Sequence, residues 1–155
     1  MRLNFIFPTL AVIGSALAQE SRFLEIGGIN PNLIVVILAI LAFRLENPAY
    51  FFIAAFTGVI FAKTAPFWEL APLTVFFIAI ILWLSKKAGP WNIHLGFLIS
   101  LFMATTIFYV IADRTFILDR SSGFLYELAY NLFIGAIVWP VSYYFSNEIS
   151  RRIKL

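Results

Sequence analysis

The sequence predicts an all-α, polytopic transmembrane helix bundle of about six spans, with both termini on the cytoplasmic side. Three observations carry that expectation. Of the 155 residues, 62% are hydrophobic and only 12% are charged, about half the charged share of a soluble domain. A water-soluble fold of this length could not hide that much apolar surface, eighteen Phe included, whereas lipid accepts it. Apolar runs then recur along the chain between short polar breaks. Finally, seven Lys/Arg (Arg2, Arg44, Lys86, Lys87, Arg151, Arg152, Lys154) fall on one side of the alternating runs and four (Arg22, Lys63, Arg114, Arg120) on the other. Such a bias marks the first side as cytoplasmic. Most acidic residues fall opposite, and residues 1–155 read as a single integral membrane domain.

The first run has the form of a signal peptide: Arg2, an apolar core, and Ala16-Leu17-Ala18 as a cleavage-like triplet. It is expected instead to be an uncleaved first helix, because further spans follow it. Ala11, Gly14, Ser15 and Ala18 are its expected close-packing side. Residues 19–32 form a polar loop broken by Gly27-Gly28 and Asn30-Pro31. The run 33–43 is too short to cross alone. It must recruit part of residues 23–29, or be tilted and shielded by its neighbours.

Residues 44–48 form a tight turn, and 49–62 a third, again short, segment. The fourth spans 66–84, with Pro72 in its first turns, and Lys86, Lys87, Gly89 and Pro90 end it. Residues 91–112 are the fifth, and the loop 113–122 leads into the last. That run, 124–145, is long enough to cross a hydrocarbon core of ~30 Å at ~1.5 Å per residue. Ser146-Asn147-Glu148 closes it, and Arg151, Arg152 and Lys154 hold its end at the cytoplasmic face.

Few residues could carry chemistry. The chain has no Cys, which excludes disulfides, thiolate metal sites and cysteine nucleophiles. The basic residues are scattered over short loops and the tail, so no nucleic-acid face is expected. No paired-carboxylate, Ser/His/Asp, phosphate-loop or metal-ligand spacing occurs. Catalytic residues, cofactors and metals are all expected to be absent, and an enzyme is not expected. Two stripes of small residues at four-residue spacing, Ala54-Gly58-Ala62 and Gly96-Ser100-Ala104, permit close helix approach. They serve either packing within the bundle or docking of another membrane protein.

The last helix carries a third stripe, Glu127, Asn131 and Gly135, followed by Pro140. Glu127, ~26 Å from Tyr144 at ~1.5 Å per residue, is expected to be solvated near the outer headgroups. Asn131, a turn deeper, needs a hydrogen-bond partner in another helix or a water pocket. Glu69 is expected near the outer end, and His94 near the inner end of the fifth span. Neither has the mid-depth ionisable partners that a proton relay requires.

Two places carry a resemblance. One is Leu17-Ala-Gln19, the polar loop, and Ile29-Asn-Pro31-Asn-Leu33 entering an apolar run; the other is Gly135-Ala-Ile-Val-Trp139-Pro140 with the basic tail. Together they resemble the MreD family, the small integral membrane subunit of the bacterial rod-shape machinery. Length and helix number agree with that family. The chain departs from its pattern at 61–67, which lacks an acid and a glycine turn, and at Gly135, where asparagine is common. The resemblance implies a non-enzymatic scaffold of cell elongation and peptidoglycan synthesis in the bacterial inner membrane. It implies membrane lipids, an MreC-like single-span protein and other elongation components as partners. The MreD fold is similar to that of the substrate-binding subunits of energy-coupling-factor vitamin transporters, which makes such a subunit the alternative.

Overall fold

The run 33–43 has no polar face, and the structure builds the bundle around it. The structure is a computed structural model that describes residues 6–61, 70–87, 92–112 and 114–152. These form α1 (Ile6–Glu20), α2 (Leu33–Arg44), α3 (Pro48–Phe61), α4 (Leu70–Lys87), α5 (Ile93–Ala112), α6 (Arg114–Asp119) and α7 (Ser121–Arg152). Apart from an isolated bridge between Ile26 and Ile29, all regular structure among the described residues is helical.

α2 is central. Nine of its 12 residues are buried, from Leu33 to Ala42, as expected of a helix that is apolar all round. It packs against α1, α3, α4, α5 and α7. A 12-residue helix is ~18 Å long, well short of a bilayer core, and neighbours rather than lipid surround it. The expectation that it borrows length from residues 23–29 does not hold. Phe23 is 82% exposed, and Ile26 and Ile29 exchange backbone hydrogen bonds of 3.0 and 3.1 Å across Gly27 and Gly28. Both glycines have positive φ, 61° and 82°, which such a two-residue turn requires.

Asparagines start three of the helices. The side chain of Asn32 accepts from Val35 N at 3.2 Å, Asn47 from Ala49 N at 2.9 Å and Asn92 from His94 N at 3.0 Å. Each satisfies one of the donors that a helix N-terminus leaves free. In α3, Pro48 follows its cap at the first helical position, where its missing N–H costs nothing.

Among the described residues, Ile93–Ala112 and Ser121–Tyr144 are long and apolar enough to cross a membrane, whereas α1, α2 and α3 are shorter apolar helices. The expected side of α1 is corrected in part: Ser15 is buried and Ala11 and Ala18 are half-buried. Gly14 is exposed with nothing close to it, and the buried face is Pro8, Val12, Ser15 and Ala16. The segment read as a loop before the last span contains α6, which packs back on α5 and α7.

Candidate functional site

Five of the seven buried polar residues among those described, Asn32, Ser100, Thr105, Glu127 and Asn131, lie on or beside α2, α5 and α7. α2 is fastened to α7 at both ends. At its start, Asn32 N donates to Asn131 Oδ1 at 2.8 Å. At its end, Arg44 Nη2 donates to Ser142 O at 2.6 Å and, more weakly, to Tyr143 O at 3.5 Å. The two helices therefore run in the same direction, joined at both ends of α2. The α1–α2 connection is tied down alongside: Tyr130 Oη donates to Leu24 O at 2.8 Å, and Asn30 Nδ2 to Gln19 O at 2.8 Å. All four leading N–H groups of α2 have acceptors, from Pro31 O, Gln19 Oε1, Asn32 Oδ1 and Asn32 O. With no free donor, this helix start offers nothing to an anion.

α5 and α7 run antiparallel in a fixed register. Phe97 stacks on Trp139, with ring centroids 4.7 Å apart and planes at 10°. One turn on, the Leu101 side chain fills the space over Gly135, where an added Cβ would lie 2.4 Å from Leu101 Cδ2. Two turns further, Tyr109 Oη donates to Glu127 Oε1. Glu127 is therefore not solvated as expected; it is only 7% exposed. The rings of Phe116, on α6, and Phe124 pack against Tyr109 at 5.2 and 5.8 Å and close off the pair.

The opposite end is aromatic and cationic. Trp139 Nε1 donates to His94 Nδ1 at 2.8 Å, so the only histidine satisfies a buried indole. Phe43 meets Trp139 edge-on at 6.0 Å. The Arg44 guanidinium lies 6.0 Å from the Trp139 ring and 5.3 Å from that of Tyr143, within cation–π range. Pro140 sits inside α7. A proline there has no N–H for the carbonyl four residues back, and Arg44 supplies donors just beyond it.

The small-residue stripes take internal positions. Ala54 is fully buried, and Gly58 faces Val12 and Ile34, whose Cγ1 and Cγ2 would lie 3.0 and 3.5 Å from an added Cβ. On α5, Ser100 Oγ donates to Ser85 Oγ at 3.0 Å, Ala104 is fully buried and Gly96 is half-buried. The structure thus brings Asn131 and Gly135 into the α2–α5–α7 seam. Gly58 faces α1 and α2, and Ser100 faces α4. Ala62 and Glu69 lie outside the described residues. Sequence reasoning missed Asn32, Tyr109, Thr105 and Arg44. Asn32 was readable as a helix cap, but no one-dimensional signal marks the others.

No group of three or more metal-ligating side chains occurs among the described residues. Comparison with protein-family models, with curated proteins and with solved structures finds no match. Chemically, the site holds helices to one another. Asn131→Leu would strand the Asn32 N–H in a buried position, at a cost of about 1–3 kcal/mol. That exceeds the ~0.6 kcal/mol average of intramembrane hydrogen bonds, because a backbone donor is left with no replacement. The expected result is a lower Tm in detergent, with Asn131→Gln intermediate.

Proposed function

We propose that the chain is a non-enzymatic scaffold subunit of the bacterial inner membrane, serving the cell-elongation machinery that directs rod shape and peptidoglycan synthesis. Its partners are an MreC-like single-span protein and other elongation components. The observation that carries this reading is how the interior polar groups are used. Asn131, Glu127, Ser100, Arg44 and Trp139 are each engaged with another helix of the same bundle, which supports a fixed structural body. The resemblance of the first loop and the closing helix to MreD supplies the cellular role.

The proposed topology is multi-pass, six spans with both termini cytoplasmic. The shared direction of α2 and α7 supports it, as does Lys86 Nζ donating to Leu45 O at 2.6 Å, which sets Lys86 beside the Arg44 end of α2. Reporter fusions after Lys87 and after Leu155 should both read cytoplasmic. A periplasmic signal at either point would overturn this topology.

One open cavity, of about 620 Å³ between α5 and α7, is lined by Leu98, Ile99, Phe102, Ala129, Leu132, Phe133 and Ala136. None of these side chains hydrogen-bonds, whereas a metabolite site needs a few convergent polar groups. That cavity therefore gives no support to the alternative, a vitamin-binding subunit. Purification from a bacterial membrane under mild detergent should recover an MreC-like single-span protein. Submicromolar binding of a vitamin with no such partner would replace the scaffold reading by the transport one.

A further inference from the structure

The register of the α5–α7 seam places one more pair. Phe97 lies against Trp139, Leu101 against Gly135 and Tyr109 against Glu127. Each step of four along α5 is answered by a step of four back along α7. The step left between Leu101 and Tyr109 is Thr105, and the step left between Gly135 and Glu127 is Asn131. Antiparallel helices in unbroken register thus set Thr105 opposite Asn131. Both residues are 0% exposed. Each keeps a buried polar atom with no hydrogen-bond partner in the protein: Thr105 Oγ1 and Asn131 Nδ2.

We infer that Thr105 and Asn131 form an internal binding site for one small neutral hydrogen-bonding molecule, a water, which bridges α5 and α7. Two stranded polar atoms facing each other in a membrane interior are costly, and a bridging water relieves both at once. Thr105 and Asn131 lie between the level where Leu101 covers Gly135 and the level where Tyr109 meets Glu127, and no hydrogen bond joins Thr105 Oγ1 to Asn131 Nδ2. The donor pattern selects the ligand. Asn131 Oδ1 is committed to the Asn32 N–H, and flipping the amide would set two donors against each other. Asn131 therefore presents N–H to the site, which repels a metal cation, while the adjacent Glu127 disfavours an anion. A water accepts from Asn131 Nδ2 and donates to Thr105 Oγ1, with a further hydrogen left for a neighbouring acceptor.

The test is a pair of variants and a structure of the whole protein in lipid. A dry, unpartnered hydroxyl is destabilising, so its removal by the near-isosteric Thr105→Val would raise Tm. A water-bridged hydroxyl is stabilising, so the inference expects Thr105→Val to lower Tm by several degrees and Thr105→Ser to leave it nearly unchanged. An experimental map fine enough to resolve ordered water should show one water within hydrogen-bond distance of both Thr105 Oγ1 and Asn131 Nδ2. A Thr105→Val protein as stable as the parent or more so, a direct bond between the two side chains, or an empty seam would each overturn it. Association with an elongation partner plays no part in these readouts, so they stand or fall separately from the proposed function.

Discussion

Gly135→Leu is expected to unfold the α5–α7 seam, with Gly135→Ala far milder. A Cβ at 135 would lie 2.4 Å from Leu101 Cδ2, with Phe97 Cε1 and Cζ both at 3.4 Å. Leu101 Cδ2 is the free end of a flexible side chain, so a single methyl can be accommodated by turning Leu101 to another rotamer. Gly135→Ala should therefore cost about 1–3 kcal/mol, the usual range for overpacking. A leucine must also displace Phe97, which is fully buried and held between Trp139 and Phe43. The backbones of α5 and α7 are then forced apart, and many small dispersion contacts are lost together. The expected cost exceeds about 3 kcal/mol, read as a large fall in Tm. Leu101→Ala combined with Gly135→Ala should cost less than the two single changes added together, since the new methyl takes part of the space that Leu101 vacates. A Gly135→Leu protein with parental Tm would place residue 135 against lipid instead.

Much of the bundle is legible in the sequence because apolar burial leaves one-dimensional traces. Runs of apolar residues give the helices, and polar or Pro/Gly breaks give their ends. Asn32, Asn47 and Asn92 stand where three helices begin. The absence of any polar face on 33–43 already signals a helix enclosed by protein. The four-residue spacing of Glu127, Asn131 and Gly135 shows that they share a face, and a glycine there implies a close neighbour. The identity of that neighbour is a different kind of fact. That Leu101 meets Gly135, Tyr109 meets Glu127 and Asn32 meets Asn131 follows from how α5, α6 and α7 fold back on one another, and residues 99 apart leave no local pattern. Glu127 illustrates the limit. Its burial depends on Phe116, on a short helix that composition alone does not distinguish from a loop.

Trp139→Ala is expected to be the most damaging truncation at the opposite end of the seam. Trp139 is 2% exposed and joins four groups: Phe97 by stacking, Phe43 edge-on, His94 through its indole N–H, and the Arg44 guanidinium over its ring. Removing a buried aromatic of this kind costs about 3–5 kcal/mol, since the surroundings collapse only partly into the space. The loss is compounded by position. Pro140 already breaks the hydrogen-bond ladder of α7, and Arg44, which reaches the Ser142 carbonyl, loses the ring it lies against. Trp139→Phe keeps the stack and gives up only the indole donor. Because His94 is exposed, water can replace that donor at Nδ1, and the cost falls to about 1 kcal/mol. His94→Ala should cost a similar amount, by leaving the indole N–H to water. The double variant Trp139→Phe/His94→Ala should then be less damaging than the two single changes added together, as expected for partners in one bond. Strict additivity in thermal or denaturant unfolding would mean that the His94 contact contributes nothing. Equal stability of Trp139→Ala and the parent would mean that the aromatic cluster does not hold α7 to α2 and α5 at all.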